Sequence, residues 1–279
     1  MRTKLLSVVV LVFIAGCVGP EAEKLAICTG RATLQDSLAS LDSNTAQIKP
    51  FRANGQCFAT YNEDGKKHKE EFSFKLWFNP PNELRFFGDV AFNARGLDIG
   101  CNETEFWFAA KPKELGNSFW WGKWSEQKNT FAGFGSKMLL DSLCKITIAN
   151  PQDWSLSNEG PFDILSEQSQ GKIVKKFYIY CCDYRIRKIE YFNEGNVSAV
   201  LEMRDYRKIF DGSLFPSELM LRDFNYEGKE SLIRIVFGTV KGYGYTSQKR
   251  TAYFERPTDL NGFEHIYRAA NGGLNEKQK

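Results

Sequence analysis

The side chains with chemistry to offer in this 279-residue chain are two histidines, seven cysteines, six tryptophans and a few close carboxylate pairs. His68 and His265 stand far apart, so a Ser-His-Asp arrangement has few bases to draw on. No G-x-S-x-G, H-E-x-x-H, G-x-x-x-x-G-K-[ST] or G-x-G-x-x-G motif occurs. Glu70 with Glu71, and Glu103 with Glu105, are residue types that could share the acid and base roles of glycoside hydrolysis. Their setting among alternating residues reads instead as solvated strand edges. No catalytic residue and no cofactor is expected. Trp120, Trp121 and Trp124 have flat faces that could stack on sugars, although neighbours on a strand point oppositely and one of Trp120 and Trp121 should be buried.

Cys17 differs from the other cysteines in what precedes it. Arg2 and Lys4 are followed by an apolar run from Leu5 to Ile14 that only Ser7 interrupts, and then by Ala15-Gly16-Cys17. The charge, the apolar run and the small residues make a secretory signal peptide over residues 1–16. The junction closely resembles the lipobox of bacterial lipoproteins, with Cys17 as the lipidated residue. A transmembrane anchor would need about 20 apolar residues, and Gly19-Pro20 ends this run too early. Buried acyl chains contribute about 0.8 kcal/mol per CH₂, so several chains on one cysteine anchor a domain durably. Residues 17–25 are then a lipidated tether to the membrane. Val18 stands where enteric lipoproteins retained in the inner membrane carry aspartate, which points to the outer membrane and a domain facing the periplasm.

The six other cysteines, Cys28, Cys57, Cys101, Cys144, Cys181 and Cys182, are free to form disulfides in such an oxidising compartment, in pairings that spacing alone leaves open. With no C-x-x-C and only two histidines, no metal site is expected. The 37 basic and 34 acidic residues are interspersed and sum to +3, so no nucleic-acid footprint is present. Composition is that of a globular protein, 42% hydrophobic and 25% charged. Twenty-three phenylalanines favour strands and large apolar interiors.

These residues must be positioned by a mostly β chain. Leu34, Leu38 and Leu41 recur at helical spacing, predicting a helix from about Ala26 to Ile48 that Pro50 stops. From Gly55 the period becomes two, as in Phe72-Ser73-Phe74-Lys75-Leu76-Trp77-Phe78. A short helix is predicted at Ser136–Leu143, and strands resume through Thr251–Phe254, divided by hairpin signals such as Asn193-Glu194-Gly195-Asn196. One domain over residues 26–267 follows, with a polar, disordered tail at 268–279.

The serial order of features resembles the LolA/LolB family of lipoprotein carriers and its wider superfamily. The resemblance is carried by the leading helix, Trp77-Phe78-Asn79-Pro80-Pro81, Leu84-Arg85-Phe86-Phe87-Gly88, Phe106-Trp107-Phe108, Arg185 to Tyr191, Arg204-Asp205-Tyr206 and Leu214-Phe215-Pro216-Ser217-Glu218-Leu219. It implies an α+β, mainly antiparallel fold: an incomplete, half-open β-barrel of about eleven strands with helices covering the concave apolar face. It also implies an acyl chain, lipid or lipoprotein as ligand, and a periplasmic carrier protein as partner. Phe74, Trp77, Phe86, Phe106, Phe108, Ile179, Ile189, Leu201 and Leu219 are the candidate cavity lining. Val90 and Phe92 match loosely an exposed apolar loop that delivers lipoproteins to the membrane. The insert from Gln127 to Gly171 and the six non-anchor cysteines depart from the family. Non-catalytic carbohydrate or peptidoglycan binding, or an assembly role in the envelope, is the alternative reading.

Overall fold

The computed structural model describes residues 25–45, 48–63, 65–91, 93–126, 134–143, 148, 150–224, 230–270 and 273–276. The signal peptide, Cys17, the tether up to residue 24, Phe92 and Cys144 lie outside the described residues.

A helix α1 (Leu34–Thr45) precedes six strands, β1 (Phe51–Glu63), β2 (Lys66–Asn79), β3 (Glu83–Val90), β4 (Asn93–Cys101), β5 (Glu105–Ala110) and β6 (Ser118–Lys123). After α2 (Phe134–Ser142) come β7 (Trp154–Glu159), β8 (Phe162–Ser169), β9 (Lys172–Tyr180), β10 (Arg185–Asn193), β11 (Asn196–Lys208), β12 (Leu214–Phe224) and β13 (Glu230–Gly242). The chain ends with α3 (Ser247–Phe254), β14 (His265–Ala270) and β15 (Gly273–Glu276).

Among the described residues, 15 strands make one sheet in the order β15-β14-β6-β5-β4-β3-β2-β1-β13-β12-β11-β10-β9-β8-β7, so β1 is the central strand. Every pairing is antiparallel except β14 on β6. The mainly antiparallel, open character matches the expectation, while the strand count exceeds the expected eleven. The excess has two sources. The insert supplies β7 and β8, and the tail expected to be disordered from Arg268 instead completes β14 and adds β15, with Tyr267 paired to Glu276.

Period-two alternation decides which face each strand buries. In β2, Phe72, Phe74, Leu76 and Phe78 are buried while Ser73 and Lys75 face water. Curvature needs irregularities, and one falls at Asn54/Gly55, where the β1–β13 register shifts. A Cβ on Gly55 would lie 2.0 Å from the Val236 carbonyl oxygen, so only glycine fits that approach. The resulting concave face carries the main core, which includes Phe51, Phe78, Phe177 and Phe215. The other face is covered at its β3–β6 end. There Trp107, Ala109 and Phe119 pack with Phe263, and Arg85 pairs with Asp98 at 2.5 Å while its guanidinium donates to the Glu255 carbonyl at 3.1 Å.

The first helix is shorter than predicted. Thr33 caps it, accepting from the Asp36 amide at 3.1 Å, so α1 starts at Leu34. Residues before it form an extended arm bound to the end of the sheet that carries the β9–β10 turn. Cys28 is disulfide-bonded to Cys182, and the fully buried Asp163 accepts from the Arg31 amide at 2.9 Å, Asn158 at 2.6 Å and the Tyr184 hydroxyl at 3.0 Å. Gly30 is required there, because a Cβ would meet the Asp163 carboxylate at 2.1 Å. Cys181 and Cys182 lie just beyond β9 and have separate surroundings: Cys182 is in the disulfide, and the Cys181 thiol donates to Asp163 at 3.3 Å. Thr251–Phe254, read as a strand, belongs to α3, whose N-cap Thr246 accepts from the Lys249 amide.

The Cys28–Cys182 bond spans 154 residues, and disulfides closing long loops contribute typically about 2–4 kcal/mol. Cys28→Ser with Cys182→Ser is expected to lower the urea unfolding free energy by about that amount, and dithiothreitol should then shift wild type but not the variant. An unchanged unfolding curve would mean that the arm adds nothing to the folded state.

Candidate ligand cavity

Between the concave face and α2 lies a cavity of about 420 Å³. Three rows of cross-strand neighbours build its longest wall. The lowest runs Phe72, Cys57, Ile235, Leu219. The next runs Glu70, Ala59, Ile233, Leu221 and Leu201. Above them Tyr61 and Ser231 reach the rim. Phe86, Val90, Leu97, Ile99, Phe108 and Ala110 line the opposite wall from β3, β4 and β5, and Met138, Leu139 and Ser142 of α2 roof it. The size falls within the roughly 300–1,000 Å³ of small-molecule pockets.

Four of the expected lining residues, Phe86, Phe108, Leu201 and Leu219, do line the cavity. Four are packed core beside it. Phe74 stacks on Phe86 at 5.1 Å and meets Phe237 at 5.5 Å, Phe106 packs on Trp124 at 4.7 Å, and Ile179 and Ile189 are fully buried. Trp77 is on the other face, stacked on Tyr253 of α3 at 4.9 Å, because it sits an odd number of residues from Phe74 and Phe72. Val90 is not on an exposed loop. It is 2% exposed and faces the cavity at the end of β3. Small and polar positions were missed, chiefly Cys57, Ala59, Tyr61 and Glu70. Their signal was the alternation in β1 and β2, and in β1 Cys57 and Ala59 are too small to fill the space that strand curvature opens.

One polar network secures the roof. Asp141 of α2 lies 2.9 Å from the Lys175 ammonium and accepts from the Tyr191 hydroxyl at 2.9 Å, and all three groups are buried. Burial and the adjacent carboxylate hold the Tyr191 hydroxyl well above its ordinary pKa, so it stays a donor. Burial likewise pushes the Cys57 thiol up to about 12, which leaves it protonated and a poor nucleophile.

The other chemical candidates do not converge on the cavity. Glu105 is bound by Arg256 at 2.9 Å and Glu103 by Arg250 at 3.5 Å, while Glu71 points to solvent. The Trp121 ring is covered by Arg256 at 4.0 Å and approached by Arg268 at 5.3 Å, so its face is not free for a sugar. Among the described residues no group of three or more His, Cys, Asp or Glu side chains could hold a metal ion.

No protein-family model and no curated protein matches the sequence. Solved structures share the fold. A putative outer membrane lipoprotein-sorting protein domain from Vibrio parahaemolyticus is 9% identical with a TM-score of 0.52, over 77% of this chain and 96% of that one. A DUF1329 family protein from Desulfovibrio piger is 12% identical with a TM-score of 0.50, over 80% and 97%. A LolA superfamily protein from Nitrosomonas europaea is 13% identical with a TM-score of 0.48, over 78% and 97%. The fold shared with the lipoprotein-sorting domain and the DUF1329 protein is the level at which the resemblance read from the sequence holds.

Removing one partner of a buried ion pair costs about 3–5 kcal/mol, because the other charge is stranded. Lys175→Met is expected to lose that much in urea unfolding. Adding Asp141→Asn, which removes the stranded charge and keeps an acceptor for Tyr191, should recover most of the loss. Equal losses in the single and double variants would contradict the pairing.

Proposed function

We propose that this chain is a lipoprotein of the bacterial cell envelope, anchored through lipid on Cys17, that takes an acyl chain of a lipid or lipidated protein into its concave cavity. The observation that carries the reading is the cavity itself, about 420 Å³ with walls from eight strands that are apolar apart from one end. A fully packed core would leave no such space, since protein interiors rarely hold voids much larger than a water. Filling it removes apolar surface from water at roughly 25 cal/mol per Å², which is the driving force for uptake.

The fold shared with a lipoprotein-sorting domain supports the same reading, as does the precursor-like N-terminus. Binding needs no catalytic residue, and the protein is read as a non-enzymatic acceptor or carrier facing the periplasm, with a soluble periplasmic carrier as its exchange partner. Phe92, between β3 and β4, is the apolar residue proposed to touch the membrane during transfer.

Residues 18–279 hold every described element of the fold, so the test uses this chain without its lipid. Native mass spectrometry of the purified protein should find acyl lipid or lipopeptide bound, and delipidated protein should take up a fluorescent fatty acid. Ala59→Trp, which pushes an indole into the cavity from its central strand, should abolish both while leaving the protein folded. A lipid-free protein that takes up no fatty acid would overturn the reading.

A further inference from the structure

The cavity is polar at one end and stopped by packed rings at the other. Tyr61, Glu70 and Ser231 line it near the tips of β1, β2 and β13, so the strand tips form its mouth. The lowest lining row, Phe72, Cys57, Ile235 and Leu219, is apolar. The next row down belongs to Gly55, which pairs with Phe74 on one side and Phe237 on the other. From Tyr61 the strand runs about 13 Å to Cys57 and about 20 Å to Gly55, at roughly 3.3 Å per residue.

Phenylalanine rings close that row. Phe74 stacks on Phe86 at 5.1 Å and meets Phe237 edge-on at 5.5 Å, and Phe237 meets Phe215 edge-on at 5.0 Å. Phe86 lines the cavity, and the other three lie behind the lining, each fully buried. Two glycines decide where the β2 rings go. A Cβ on Gly88 would stand 2.7 Å from the Phe72 ring, and one on Gly55 would stand 2.8 Å from the Phe74 ring. Phe72 thus leans over Gly88 and leaves the space beside Cys57 open, while Phe74 leans over Gly55 toward Phe237 and shuts the bottom.

Resting on the acyl-binding reading above, we propose that Phe74 is the specificity-determining residue of the cavity, the stop that sets the longest acyl chain taken in. The hydrocarbon core of a bilayer is about 30 Å thick and two tails deep, so one membrane-lipid tail is about 15 Å long. A tail of that length, entering tail first between the strand tips, ends between the Cys57 row and Phe74. Methylenes beyond it find no further apolar wall and stay at the mouth, beside Glu70 and Tyr61, within reach of water. The ligand class is an amphiphile whose tail has membrane-lipid length, and longer tails gain nothing.

The test displaces the uncharged fluorophore N-phenylnaphthylamine from residues 18–279 with octanoate, dodecanoate, hexadecanoate and eicosanoate. Each buried methylene tightens binding by up to roughly fourfold, so affinity is expected to climb as far as hexadecanoate and to level off at eicosanoate. Phe74→Ala should move that point outward, with eicosanoate binding on the order of tenfold tighter than hexadecanoate. Phe74→Leu removes less of the core, keeps the test open if the alanine variant does not fold, and should give a smaller gain in the same direction. Binding of the fluorophore itself reports that a variant is folded. Affinity that keeps rising to eicosanoate in wild type, or a levelling point unmoved in a folded Phe74 variant, would overturn the stop while leaving acyl binding intact. Failure of the fluorophore and every fatty acid to bind wild type would overturn both.

Discussion

The interaction on which the rest of this structure depends is burial of one apolar face of a long, curved antiparallel sheet. Among the described residues an open sheet of 15 strands has no second sheet to close against, so its concave face must be covered by whatever else the chain supplies. Leu41 of α1 and Met138 of α2 are buried in that core, and they come from two short helices. Two helices of 12 and nine residues cannot fill the width of the sheet, and the space left under α2 is the cavity. Function, on this view, arises where the coverage is incomplete.

Holding a roof over an unfilled space requires anchors that do not depend on apolar contact. Asp141 supplies one through Lys175 and Tyr191, inside the core. Asp163 and the Cys28–Cys182 bond supply another at the end of the sheet carrying the β9–β10 turn, where they bind the arm that leads into α1. The arm and the polar rim lie at opposite ends of the strands, since Tyr61 is near the tip of β1 and Tyr184 follows the foot of β9. The convex patch around Trp107 and Phe119 packs against Phe263 and covers the β3–β6 half from behind.

Much of this was legible in the sequence, for reasons that are local. Alternation in β2 named its buried residues, and hairpin signals placed the turns. Three leucines at helical spacing on α1, of which Leu41 is buried and Leu34 and Leu38 are partly buried, and the serine-led spacing of α2 gave both concave helices. What stayed hidden depends on distant partners. The arm before Leu34 looks helical in isolation and is extended because Cys28 is bonded 154 residues away. The strand pattern of Thr251–Phe254 yields to a helix because Phe254 is buried against the back of the sheet, and Trp77 stacks there on Tyr253. β15 exists only because β14 offers an edge. At the site, large side chains drew attention to Phe74 and Ile179, which fill space, while the small Ala59 and Cys57, which leave it, passed unnoticed.

The central claim is that the concave cavity is an apolar binding site, and calorimetric titration of a monoacyl lipid into delipidated protein at several temperatures tests it most directly. Burial of the tail is expected to give one ligand per chain with a clearly negative heat-capacity change. Absence of saturable binding, or binding with a heat-capacity change near zero, would contradict it and place the contact on the surface.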